Sequence, residues 1–131
     1  MALTLSIKTD NPRAEIGLHE GLQEISSLSW TADRELSATL HLSIKQLLED
    51  KGKELSDVGG IAVFQGPGSF TGLRIGLCVA NALAYALNVP ITAGRGDDWI
   101  TDALKNLEEG RGDKLVKPFY GAEPHITKPR K

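Results

Sequence analysis

Gln65-Gly66-Pro67-Gly68-Ser69-Phe70-Thr71-Gly72-Leu73-Arg74-Ile75-Gly76 decides how the rest of this sequence reads. It follows directly on Gly60-Ile61-Ala62-Val63-Phe64, a short continuous apolar run of the kind that forms a strand buried inside a sheet. Glycine opens backbone angles closed to other residues and Pro67 fixes one bend, so Gly66, Pro67 and Gly68 specify a tight strand-to-helix turn. Ser69 is placed to cap the helix that follows, predicted from about Phe70 to Asn88 and ended by Pro90. The N–H groups of such a first turn can hold an anion. The stretch has no Gly-Lys-Ser/Thr ending and lacks the dinucleotide-binding glycine spacing, which favours a packed connection over a phosphate cradle.

Along the predicted helix Gly72, Gly76, Ala80 and Ala84 recur every four residues and make a smooth ridge over which another helix or strand can approach closely. Each glycine costs about 1 kcal/mol of helix propensity relative to alanine, so something must compensate. Thr71, Arg74, Cys78, Asn81 and Tyr85 form a polar stripe, while Phe70, Leu73, Ile75, Leu77, Val79, Leu83 and Leu87 spread over the remaining circumference. A helix apolar over so much of its surface needs cover on more than one side. A sheet supplies one side. Periodicity does not decide whether another helix of the same chain or a partner subunit supplies the other. Cys78 reads as a small packed residue of the helix interior, not as a reactive thiol.

Working outward, Leu3, Leu5 and Ile7 alternate with Thr4, Ser6 and Lys8, the pattern of a half-buried strand. Residues 14–18 and 22–30 follow as a hairpin about Glu20-Gly21. Asp33 can cap an amphipathic helix running to about Lys51, with Leu36, Leu40, Ile44, Leu47 and Leu48 on one face and Gly52 as its stop. After the glycine-rich helix come a short apolar stretch near Val89 to Thr92, Gly94-Arg95-Gly96-Asp97 as a turn, and a polar helix from about Asp98 to Glu109. The second Gly-Arg-Gly-Asp, at 110–113, also reads as a turn, and neither Arg-Gly-Asp triplet is given an adhesive role. Three strands, helix, strand, helix, strand, helix make an α/β layer with mixed strand directions.

The chain has 131 residues, 40% of them hydrophobic, enough for one compact domain with a core. Fifteen basic against seventeen acidic residues leave a formal charge of -2 and no global pull toward nucleic acid or anionic lipid. The single cysteine allows no intramolecular disulfide. The longest mainly apolar stretch, Leu73 to Leu87, is interrupted by Arg74 and Asn81 and is shorter than a bilayer span requires. Together with an N-terminus lacking a signal-peptide pattern, these features lead us to expect a cytoplasmic protein.

The residues argue against a catalytic centre. His19, His41 and His125 lie in different segments without metal-ligand spacing, so neither a metal nor another cofactor is expected, and His41 reads as a surface or boundary residue. Ser69 does not sit in a nucleophile elbow, because Pro67 and Thr71 occupy the two glycine positions of Gly-x-Ser-x-Gly. From residue 114 onward Lys114, Lys117, Lys128, Arg130 and Lys131 face Glu123 alone, a basic tail able to touch RNA or an acidic partner surface.

The run from Gly66 to Gly76, followed by an alanine-rich helix, closely resembles the signature of the TsaB family of tRNA threonylcarbamoyladenosine synthesis. The resemblance extends less sharply over residues 1 to 93. It implies the N-terminal lobe of the fold shared by actin, chaperone ATPases and sugar kinases, here at 1–113 with the basic tail at 114–131. It further implies a non-catalytic scaffold that pairs with a TsaD-like catalytic subunit acting at adenosine 37, with a TsaE-like ATPase completing the assembly. The implied pairing surface is drawn from Leu36, Leu40, Ile44, Leu47, Phe70, Leu73, Arg74 and Leu77, while Gly66, Pro67, Gly68, Ser69, Gly72 and Gly76 shape the turn. Where the family has an Ile-Asp-Thr pattern this chain has Ile7-Lys8-Thr9, which removes a carboxylate that a nucleotide-binding relative would use on a metal ion. There is no room for the family's second lobe, yet the final residues look like its closing tail, so an internal loss of that lobe is expected. A minimal nucleotide hydrolase or peptidase built on the glycine-rich turn, and a homodimer formed through the same helices, are the alternatives.

Overall fold

The computed structural model describes residues 3–32, 35–66, 70–113 and 116, with Phe70 described by its backbone alone. In chain order it builds β1 (Leu3–Lys8), β2 (Arg13–Glu20), β3 (Gln23–Thr31), α1 (Leu36–Asp50), a single 3-10 turn at Leu55–Asp57, β4 (Val58–Gly66), α2 (Phe70–Leu87), β5 (Ile91–Arg95) and α3 (Trp99–Glu108). The sheet order is β3-β2-β1-β4-β5. The β1–β2 and β2–β3 pairs are antiparallel, whereas β4 is parallel to both β1 and β5. This is the mixed α/β sheet the sequence predicts. A parallel β4–β5 pair needs a crossover connection, and α2 supplies it.

Several local features differ from the sequence reading, each for a physical reason. β1 is buried on both faces, because it lies between β2 and β4 with layers above and below, so Thr4 and Ser6 are interior and not solvent-facing. The hairpin loop is Gly21-Leu22, since Glu20 and Gln23 still pair across the strands and Gly21 takes φ 63. β5 runs on through Gly94 and Arg95 instead of turning there. The backbone of Trp99 crosses so close over Gly94 that a Cβ at that position would collide with it.

α2 ends in an αL cap before Pro90 is reached. Asn88 has φ 57, its N–H donates to the Tyr85 carbonyl at 3.2 Å, and the Val89 N–H donates to the Ala84 carbonyl at 3.0 Å. Those two bonds are the pair that closes a Schellman motif.

α1 lies over β2 and β3, and α2 over β1, β4 and β5, with the two helices in contact on the same face of the sheet. Between them and the sheet sit Leu5, Ile7, Leu18, Leu40, Leu47, Ile61, Val63 and Leu73. Each such fully buried aliphatic side chain contributes about 1.5–3 kcal/mol relative to an exposed one. α3 packs on the opposite face against β4 and β5, where Trp99 meets Phe64 edge-on at 5.7 Å between ring centroids. Among the described residues no helix is long and apolar enough to cross a membrane.

Candidate partner surface on the two helices

The small-residue ridge of α2 is used inside the chain. Thr9, the residue after β1, donates from Oγ1 to the Gly72 carbonyl at 2.7 Å, and a Cβ on Gly72 would lie 2.6 Å from the Thr9 carbonyl oxygen. Thr9 also fills the space a Cβ on Gly76 would need. Ala80 and Ala84 continue the same buried face against the sheet. The close approach that the four-residue spacing predicts is therefore made by the end of β1.

The apolar stripes follow suit. Leu36, Leu40, Ile44 and Leu47 of α1 and Leu73 and Leu77 of α2 are all buried in this chain's own core, and only Arg74 of the implied pairing set with a described side chain is exposed. Of the turn residues, Gly66 ends β4 at φ 132, a value that side-chain-bearing residues avoid. Pro67, Gly68 and Ser69 lie outside the described residues, as does the Phe70 side chain.

What the two helices present outward is a different set. On α2 the exposed side is Thr71, Arg74, Cys78, Ala82, Tyr85 and Ala86, close to the polar stripe read from the sequence. Cys78 is consequently an exposed free thiol and not a packed interior residue, because it is in helical register with Arg74 and Tyr85, away from the Leu73–Leu77–Ala80–Ala84 face. Tyr85 is 87% exposed and Leu42 of α1 is 68% exposed, the two most open large apolar side chains among the described residues. A groove of about 370 Å3 opens between α1, residues 53–55 and α2. Ile44, Leu48, Leu55 and Leu83 give it an apolar lining, and His41 and Lys45 stand at its margin.

Sequence reasoning did not find Asn81's role. Its side-chain amide donates to the Val116 carbonyl at 2.9 Å and accepts from the Val116 N–H at 2.8 Å, so it imitates a neighbouring strand and holds the chain against α2 thirty-five residues later. An amide side chain can do this because it carries a donor and an acceptor side by side.

At the carboxyl end of β1, Lys8 Nζ pairs with Asp10 at 2.6 Å and lies 4.8 Å from the centre of the Phe64 ring. Asp10 is thus engaged by a lysine of the same segment. His41 is exposed on α1, and His19 is buried on β2, while His125 lies outside the described residues. Desolvation pushes the His19 imidazole below its ordinary value, with the Glu24 carboxylate pulling weakly the other way.

The comparisons with known proteins agree with this architecture. A family profile described as TsaD, tRNA N6-adenosine threonylcarbamoyltransferase, matches residues 30–93. The chain is 43% identical over 82 residues to the tRNA threonylcarbamoyladenosine biosynthesis protein TsaB of Bacillus subtilis, covering 61% of this chain and 33% of that protein. It is 40% identical over 78 residues to the tRNA N6-adenosine threonylcarbamoyltransferase of Geotalea uraniireducens, covering 60% of this chain and 22% of that one. Among solved structures, YeaZ from Pseudomonas aeruginosa superposes with a TM-score of 0.64 at 32% identity, over 70% of this chain and 42% of YeaZ. RuvC of T. thermophilus, solved with a Holliday junction substrate, gives a TM-score of 0.55 at 11% identity, a likeness of fold alone. The chain spans less than half the length of the TsaB, transferase and YeaZ relatives. Sheet order, the glycine-rich turn with its helix, and these likenesses together make this a TsaB-like chain of the TsaD-type, actin-like fold.

Proposed function

We propose that this chain serves the synthesis of threonylcarbamoyladenosine at position 37 of tRNA as a non-catalytic scaffold, pairing with a TsaD-like catalytic subunit through the outer surface of α1 and α2. The observation that carries the reading is the outward exposure of Leu42 on α1 and Tyr85 on α2, together with an apolar groove lined by Ile44, Leu48, Leu55 and Leu83, on a chain similar to both TsaB and TsaD proteins. Exposed large apolar side chains mark a surface that gains by being covered. The non-catalytic part of the proposal rests on Lys8, which stands where the resembling family carries a carboxylate and which occupies Asp10 in an ion pair. A TsaE-like ATPase would join the assembled pair, and tRNA contact would fall to the partner or to the basic residues beyond 113.

Co-purification with a TsaD-like subunit tests the pairing. Tyr85→Asp and Leu42→Asp place a charge on the proposed surface without touching the core, so both variants fold and lose the partner. Undiminished partner binding by both would defeat the helix-surface reading. Nucleotide turnover by the isolated chain would defeat the non-catalytic one.

A further inference from the structure

The sheet ends on one side in β3 and on the other in β5, and the two edges differ. Beside β5 the backbone of Asp113 closes on Ile91 with hydrogen bonds of 2.8 and 3.0 Å, so part of that edge is matched within the chain. Along β3 no strand pairs on the outer side among the described residues. A strand of nine residues in that position presents every second N–H and C=O to an arriving extended backbone.

Proteins ordinarily blunt such an edge with lysine, proline or a bulge, or cover it. β3 has a bulge at Ile25, where the register shifts between Leu18–Ser26 and His19–Glu24, and one charged residue, Glu24, just before it. From Ser26 to Thr31 the strand is Ser-Ser-Leu-Ser-Trp-Thr, uncharged, without proline, and in regular register with β2. Ser27 and Ser29 are exposed. Leu28 and Trp30 alternate with them, packing against the core while staying partly open. The Trp30 indole N–H donates to Thr39 Oγ1 of α1 at 3.1 Å, which fixes the ring at the rim.

This stretch is complementary to itself. Antiparallel pairing about a two-fold axis at Leu28, perpendicular to the sheet, sets each face beside the same face of the other copy. Leu28 then meets Leu28, Trp30 meets Ser26, and Ser27 meets Ser29. Leu28 also gains the other copy's Trp30 as a diagonal neighbour, within reach of an aromatic side chain. The two Glu24 carboxylates fall beyond opposite ends of the paired stretch, so no like charges oppose one another.

We propose that β3 is a self-association edge, through which two copies of this chain pair antiparallel over Ser26–Trp30 and join their five-stranded sheets into one. The contact lies in the plane of the sheet and is independent of the outer surface of α1 and α2. Sedimentation of the full chain at increasing concentration should show monomer passing into dimer, and hydrogen exchange at alternate amides of residues 26–30 should slow in step. Ser27→Lys/Ser29→Lys and Ser27→Glu/Ser29→Glu each set like charges opposite one another in the dimer, at positions exposed in the single chain. Each variant alone should self-associate about tenfold more weakly than the unaltered chain. Mixed in equal amounts they should recover the dimer, because position 27 of one chain then faces the opposite charge at position 29 of the other. Ser29 accepts from Arg13 Nη2 at 2.8 Å, an exposed contact, and the melting curve of each variant monitors its change. The exchange measurement on the unaltered chain needs no variant. A chain monomeric up to millimolar concentration, a dimer indifferent to both double variants, or a mixture no tighter than either variant alone would each overturn the proposal. So would slow exchange of the β3 amides that does not vary with concentration, the mark of an edge covered by the chain's own remaining residues.

Discussion

Thr9 Oγ1 donates a hydrogen bond to the carbonyl of Gly72 at 2.7 Å, and this contact ties the first strand to the first turn of the glycine-rich helix. A threonine can reach a helical carbonyl so directly only where the helix carries no side chain in the way. Gly76, one turn further on, is the second such position.

Replacing Gly76 by alanine sets two effects against each other. Helix propensity favours alanine by about 1 kcal/mol. The new methyl collides with the Thr9 side chain, and overpacking a tight site costs about 1–3 kcal/mol. The collision is with a β-branched side chain locked by its hydrogen bond, so the net expected effect of Gly76→Ala is destabilisation, read as a lower urea midpoint. Thr9→Ala in the same chain should recover part of the loss, because the two sites are in contact and their effects do not add.

Leu73 is in the core and Tyr85 is open to solvent on the same helix, and aspartate at the two positions should separate fold from binding. Leu73 is fully buried, so Leu73→Asp places an unpaired charge in the core and costs more than about 4 kcal/mol, enough to unfold a marginally stable domain. Tyr85→Asp should leave the far-ultraviolet circular dichroism and the melting temperature intact and abolish capture of a TsaD-like subunit. A folded Leu73→Asp chain would show the core assignment to be wrong.

The buried imidazole of His19 makes stability depend on pH in a defined direction. Its folded-state pKa lies below the ordinary 6.5, chiefly through desolvation, so near and below pH 6.5 the unfolded chain takes up the proton more readily than the folded one. Stability should be flat in this respect above pH 6.5 and fall as the pH drops from there to the folded-state value. Urea midpoints at pH 7.5, 6.5 and 5.5 measure it. His19→Gln, compared with the unaltered chain, should remove that part of the decline, and equal slopes for the two would refute the assignment.

Asn81→Ala removes both hydrogen bonds to Val116, each contributing about 0.5–1.5 kcal/mol. The attachment lies at the margin of the fold, so the expected signature is local. Hydrogen exchange at the Val116 amide should accelerate well beyond any change at Leu73 or Ile61. Asn81→Asp should act similarly, because a carboxylate supplies no donor for the Val116 carbonyl and repels it.

Much of this architecture is legible in the sequence, for reasons that can be named. The α1 stripe of Leu36, Leu40, Ile44 and Leu47 identifies a buried face because a three-to-four residue period has one structural meaning. The Gly72–Gly76–Ala80–Ala84 spacing identifies a close approach for the same reason. Periodicity says which residues are covered and not by what, so these stripes also fit a subunit contact, whereas here they fill the core beneath the helices. Alternation at Thr4 and Ser6 suggests one wet face, but a central strand between two layers buries its polar residues too. Gly94 looks like a turn until the crossing of Trp99 over it is known. The Asn81–Val116 clamp joins residues far apart in the chain and has no local signature. Outside the helices, the meeting of His19 Nε2 with Ser6 Oγ depends on what Gly17 lacks, and an absent side chain is legible only in three dimensions.

The way Thr9 occupies both glycine positions has a consequence for how the α2 surface can change. One side of the helix is pinned to the end of β1 with no room for a methyl group, and the other is exposed along Thr71, Arg74, Cys78 and Tyr85. Substitutions on the outer side would be filtered by the proposed partner and hardly at all by folding. Affinity and choice of partner can therefore be retuned on a scaffold whose stability stays constant, as the lettering on a key can be recut without reshaping its bow.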